Sequence, residues 1–432
     1  MDLKFKYYIT RSYNLFYILF LLLKNSSKYL YYKDSLKFIK DLTFDIEKFN
    51  YTYIKLFQAI SCNSLLFNEK QKNFLLKYSN QVPFKESNHN LIYLSNLEEK
   101  YRNLSIVKDK PINSGIVALV YLGYLFNENN EKNKVVIKVL KNDVTYLLNS
   151  SLYDVEYLTK ILYYIPFINK FQIYKMFEFN QENIINQLDF KKELNNLKLW
   201  KNFSNKVDYL YIPYTYDKFT EDNSSLLVME YVESTQLNNI SLESKMLYCE
   251  NLTKSIYIAL FYYGLFHGDL HAGNVLFLEN NKICLIDFGI ACKVDKNEQN
   301  AIYNFYKNSL ILQNMENASL SIRDLVYPKS ILDNLNRKDQ NIFYNKVKIN
   351  IDKNFTEDSN TIKFITQLTR DLSKYNLTLS KGFSNTIYSV CAGINLNLEL
   401  IQSTSQNPTK DYNNLCFRII KELLSEFDFS FD

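Results

Sequence analysis

Apolar residues recur at three- and four-residue spacing through the first hundred positions. Ile54, Phe57, Ile60 and Leu65, then Phe74, Leu75 and Tyr78, follow the period of helices with one buried face. Pro83 and the polar residues 86–90 interrupt that pattern. From about residue 101 the rhythm shortens. Residues 116–125 and 135–140 read as apolar strands, and the polar stretch 127–134 between them predicts a hairpin. A helix is predicted over 187–203, where Leu188, Leu194, Leu197 and Trp200 share a face, and a strand over 225–232. Beyond 232 the pattern is mostly helical, broken by short apolar runs at 275–278 and 283–286 around a turn at 279–282. The expected organisation is a helical extension (1–100), a small sheet-bearing lobe (101–233) and a larger helical lobe (234–432), an α+β arrangement.

Composition excludes a disordered chain: of 432 residues, 47% are hydrophobic, 16% aromatic and 22% charged. The net charge of +5 is concentrated at one end. Residues 1–40 carry eight Lys/Arg against two Asp, so the remainder is near neutral and offers no nucleic-acid footprint. Six scattered cysteines without a C-x-x-C pair suit a reducing compartment and give no zinc spacing. The apolar run 15–23 is far short of the ~20 residues that span a bilayer. It is read as a buried N-terminal helix, with an interfacial membrane-docking helix as the alternative.

Scarcity is informative here. Four of the eight glycines (Gly264, Gly268, Gly273, Gly289) and two of the three histidines (His267, His271) fall within 264–289. That segment reads His267-Gly268-Asp269-Leu270-His271-Ala272-Gly273-Asn274 and, 13 residues after Asn274, Asp287-Phe288-Gly289. Phosphoryl transfer needs hard oxygens on magnesium, a carboxylate near the acceptor hydroxyl and a cation on the phosphates. Asp269 is the candidate proton acceptor, Asn274 and Asp287 the candidate magnesium ligands, and Lys138 in Val135-Val136-Ile137-Lys138 the phosphate cation. Glu193 is its expected ion-pair partner. His267 is expected to brace the turn, and His271 sits where protein kinases usually carry a lysine near the γ-phosphate. The reading is an ATP- and magnesium-binding, two-lobed protein-kinase-like fold with an N-terminal helical extension.

The upstream segments carry a narrower resemblance. Lys55-Leu56-Phe57-Gln58, running to Gln81-Val82-Pro83, resembles the K-x-G-Q extension of the UbiB family, atypical kinases associated with coenzyme Q biosynthesis. Residues 111–120 resemble its alanine-rich loop, and Leu188-Asp189-Phe190-Lys191-Lys192-Glu193-Leu194-Asn195-Asn196 its L-D-F-x-x-E-x-x-N helix. The resemblance implies that Lys55 and Gln58 project into the active-site cleft, excluding protein-sized substrates and favouring a small-molecule or lipid acceptor, or ATP hydrolysis. It also implies nucleotide contacts from Gly115, Val120, Glu230 and Val232, and association with membranes. Three positions depart from the family: Phe57 replaces the K-x-G-Q glycine, 113–116 replaces the alanines, and Gln187 replaces the first acid of E-x-D. An aminoglycoside- or choline-kinase-like phosphotransferase and a nucleotide-binding pseudokinase remain as alternatives.

Overall fold

Side-chain alternation along two long strands organises the first of two compact units, Met1–Leu194 with Tyr214–Tyr231. The computed structural model describes residues 3–54, 70–71, 74–75, 89–164, 173–357, 361–402 and 406–426. Strands Ala118–Phe126 and Lys132–Leu140 pair antiparallel, with Val120 opposite Lys138. The predicted hairpin is present, but its second strand begins three residues earlier than 135. Asn127 tightens the turn, its Oδ1 accepting from the amides of Asn129 (3.0 Å) and Glu131 (2.9 Å), and Asn130 adopts φ 56°. Leu226–Glu230 flanks the second strand, while Leu104–Ile106 and Asn113–Ser114 flank the first.

Period-two patterning decides what each sheet face does. Leu119, Tyr121, Val135, Ile137 and Val139 point into a core shared with Leu94 and Leu97 of the Leu91–Lys100 helix and Phe219 of the Asp217–Asp222 helix. Val120, Val136 and Lys138 therefore occupy the opposite, half-buried face. Gly115 sits at the start of this sheet, its amide donating to the Ala118 carbonyl at 3.1 Å. A Cβ added there would meet only the Ala118 carbonyl, at 3.8 Å, and Gly115 does not have positive φ. Gly115→Ala is accordingly expected to raise stability by about 0.4–1 kcal/mol by restricting the unfolded chain. Thermal or urea unfolding reads this directly, and a loss of stability would contradict the geometry.

The Leu3–Tyr32 helix answers the question posed by the 15–23 run. Ile18 and Leu21 are buried in a cluster with Leu42 and Ile46 of the Ser35–Asn50 helix and with Leu148 and Leu152 of the Val144–Tyr163 helix. Phe16 and Leu23, on the same helix, are 72% and 71% exposed. One side of this helix is core and another is apolar and open. No helix among the described residues is long and apolar enough to cross a membrane.

The second unit comprises Asn195–Pro213 and Val232–Asp432. Ile283–Leu285 pairs antiparallel with Val275–Phe277 and parallel with Leu210–Tyr211, while Leu265–Phe266 pairs with Cys292–Lys293. Val326–Tyr327 pairs antiparallel with Thr378–Leu379, and helices form most of the other described residues, among them Leu242–Ile258, Lys296–Tyr306, Arg337–Asn350, Lys381–Ile401 and Pro408–Glu426. Gly264, at φ 63°, stops the first of these after a π turn over Ala259–Tyr263. The boundary between the units falls inside the Phe190–Ser204 helix, after Leu194.

Candidate active site

Lys138 owes its place to the strand pattern: its neighbours Ile137 and Val139 face the core, so its own side chain leaves the other face. There its Nζ lies 2.8 and 2.9 Å from the two carboxylate oxygens of Glu193, with the side chains 12% and 3% exposed. Glu193 sits in the first turn of the Phe190–Ser204 helix, where the positive end of the helix dipole favours a carboxylate. The helix starts three residues later than predicted because Asp189 caps it, accepting from the Lys191 amide at 3.0 Å. Gln187, which replaces an acid of E-x-D, turns its amide to the Asn183 carbonyl at 3.3 Å.

In the second unit, the loop between Leu265–Phe266 and Val275–Phe277 carries Asp269, His271 and Asn274. His267 anchors it from beneath and is almost fully buried. Its Nδ1 accepts from the Asp269 amide (3.3 Å), so Nε2 carries the proton and donates to the Ile286 carbonyl (3.0 Å). Burial holds its pKa below the ordinary histidine value, in keeping with this neutral tautomer. The bracing expected of His267 is thus what its hydrogen bonds provide. Gly268 is required for a different reason: a Cβ there would come 2.7 Å from the Ile290 carbonyl oxygen.

Asn274 is buried, and its Nδ2 donates to the Asp269 carbonyl at 2.9 Å. That bond uses the amide nitrogen, and the amide oxygen is the side chain's acceptor. The Ile286 amide donates to the Asn274 carbonyl at 3.0 Å, which brings Asp287, the next residue, beside the loop. Asp287 adopts φ 60°, a conformation few residues without a local side-chain bond accept. An amide oxygen and a carboxylate are the hard donors that magnesium takes, so this pair fits the ion by donor type. His271 accepts from the Gly273 amide through Nδ1 (2.9 Å), and its Nε2 is 3.8 Å from Asp269 Oδ2.

The structure thus brings Lys138 to Glu193, and Asp269 and His271 to Asn274, with Asp287 alongside. Val120 lies directly across from Lys138, Gly115 lies in the preceding loop, and Glu230 ends its strand opposite Val135. Val232 opens the second unit's segment. Lys55 and Gln58, with Phe57, lie outside the described residues. Two contributors carried no role in the sequence reading. Asn196, three residues after Glu193, donates to the carbonyls of Phe288 (3.0 Å) and Ala291 (2.6 Å), clasping the Asp287-Phe288-Gly289 turn. Trp200 packs against His267 and Phe288, its ring 6.1 and 5.5 Å from theirs. The helix period revealed Trp200 as core, but nothing in the sequence pointed Asn196 at carbonyls more than ninety positions away.

A strand lysine paired to a helix glutamate, a sheet-bearing unit and a helical unit holding this loop define a kinase-like protein. Residues 80–320 match the ABC1 atypical kinase-like domain, and the chain belongs to that family. Relatives include an uncharacterised protein in the hydrogenase 1 5′ region of Clostridium pasteurianum, 29% identical over 58% of this chain and 47% of that one. A probable protein kinase UbiB from Glaesserella parasuis is 26% identical over 43% of this chain and 36% of its own length. The probable serine/threonine-protein kinase abkB of Dictyostelium discoideum is 30% identical over 43% and 29%. The chain therefore spans about half or less of the length of these curated relatives. Among solved structures, that of an Rv3197–erythromycin complex from Mycobacterium tuberculosis has a TM-score of 0.45 at 14% identity, over 85% of this chain and 90% of that one. The UbiB-type resemblance seen in the sequence is borne out.

Proposed function

We propose that the chain binds magnesium-ATP and transfers or hydrolyses its γ-phosphate, with a small-molecule or lipid acceptor linked to quinone metabolism. The observation that carries this reading is the setting of Asn274, whose amide nitrogen bonds the Asp269 carbonyl and whose main-chain carbonyl takes the Ile286 amide, next to Asp287 in sequence. Asn274 and Asp287 would hold magnesium, which neutralises phosphate charge when bound. Lys138, held by Glu193, binds the non-transferred phosphates. Asp269 accepts the proton of the attacking hydroxyl or water, and His271 stabilises γ-phosphate charge. Glu230, Val232, Val120 and Gly115 line the nucleotide, and Lys55 and Gln58 limit acceptor size. Magnesium-dependent ATP stabilisation and hydrolysis, compared between wild type and Asp287→Asn, test the assignment.

The same reading extends to an anionic lipid surface as a partner. It is supported by the open apolar side of the Leu3–Tyr32 helix and by the six-charge basic surplus of residues 1–40. Because Ile18 and Leu21 are core, removing the helix would unfold what it packs on, so the outward residues are the better probe. Phe16→Ser with Leu23→Ser is expected to weaken binding to phosphatidylserine-containing vesicles at least fivefold at unchanged Tm. Ile18→Ser should instead lower Tm. Undiminished vesicle binding by the double variant would remove the lipid assignment.

A further inference from the structure

We propose that the Lys381–Ile401 helix positions the candidate catalytic loop, and that Ser389 is the residue through which it acts. The proposal rests on the reading of Asp269 as the proton acceptor. The helix lies beyond the 80–320 stretch that matches the family and carries no recognisable motif. Yet Ser389 Oγ donates to the main-chain carbonyl of His267 at 2.7 Å, across 122 residues of sequence, and both residues are buried.

His267 is consequently held from two sides. Its ring is fixed by the Ile286 carbonyl and the Asp269 amide, and its carbonyl is fixed by Ser389. Asp269 follows two residues later, so the carboxylate inherits the placement of this turn. The helix makes the approach with one face. Thr386, Ser389, Val390 and Gly393 recur at the three- and four-residue spacing that stacks side chains along a helix. Gly393 lets the backbone come close: a Cβ there would lie 3.2 Å from Leu270 Cδ2, the side chain that follows Asp269, and closer still to Ile256. Thr386 and Val390 line a small cavity with His267, Leu270 and Trp200, behind the loop.

Losing a hydroxyl here leaves a buried carbonyl without its donor, and relief comes through movement of the loop. Misplacement by about 1 Å can cost a reaction roughly a hundredfold, so a partial shift should be visible as turnover before it is visible as unfolding.

The test uses the full chain. Ser389→Ala should lower kcat for magnesium-ATP hydrolysis roughly tenfold while KM stays within about twofold. Ser389→Thr, which keeps the donor and can place its methyl toward the cavity, should recover wild-type kcat within about twofold. Hydrogen exchange supplies a readout independent of turnover. Amides of 267–274 should exchange faster in Ser389→Ala, with those of 132–140 unchanged. Wild-type kcat and exchange in Ser389→Ala would overturn the proposal, as would a threonine variant as slow as the alanine one. If the wild type hydrolyses no ATP, the functional reading fails separately. Exchange at 267–274 then decides the positioning role: unchanged rates overturn it, and faster rates support it.

Discussion

Glu193→Ala will cost about 3–5 kcal/mol of stability and will abolish the ATP-dependent thermal shift. The size follows from what is left behind. Glu193 is 3% exposed and gives both oxygens to Lys138, itself only 12% exposed. Truncation removes the carboxylate that accepts both bonds from the Lys138 ammonium, in a site that water hardly reaches. The double substitution Lys138→Met with Glu193→Leu separates the two consequences. Replacing a whole buried ion pair by apolar groups of similar volume is often neutral, so this variant should recover most of the lost stability. It should not recover nucleotide binding, because the phosphate cation is gone. Urea unfolding together with an ATP titration checks both halves. A Glu193→Ala protein as stable as wild type would mean that the pair is not buried as described.

Much of this site was legible because it is local. Alternation in Val135-Val136-Ile137-Lys138-Val139 fixes which face Lys138 takes, and the loop from His267 to Asn274 spells its own turns. The Leu226–Glu230 strand and the Val275–Phe277 and Ile283–Leu285 pair followed from short apolar runs for the same reason. Where the outer face is also apolar, the signal fades. The Val144–Tyr163 helix, for which the pattern yields no prediction, exposes Tyr146, Tyr153, Tyr157 and Ile161, so a buried stripe does not stand out from its background. Contacts between distant positions left no trace at all. A serine at 389 is unremarkable in a helical text, and Asn196 closes the L-D-F-x-x-E-x-x-N resemblance without any sign of its partners; the carbonyls that give them a role lie 122, 92 and 95 residues away. The three departures from the UbiB pattern divide in a similar way. Gly115 occupies a position open to alanine, Gln187 is turned back onto the Asn183 carbonyl at the end of the preceding Ile173–Asn186 helix, and Phe57 lies outside the described residues.

Magnesium held by Asn274 and Asp287 is the centre of the proposed chemistry. Asp287→Asn is the sharpest probe because asparagine accepts the positive φ of this position, so the backbone should survive while the anionic ligand is lost. A ligand at a hundredfold its Kd stabilises its protein by about 2.7 kcal/mol, a shift well within reach of thermal denaturation. The measurement is the change in Tm on adding ATP with magnesium, and with EDTA in its place, for wild type and Asp287→Asn. The wild type should be stabilised only when magnesium is present, and Asp287→Asn in neither condition. Equal, magnesium-dependent stabilisation of both proteins would contradict the assignment.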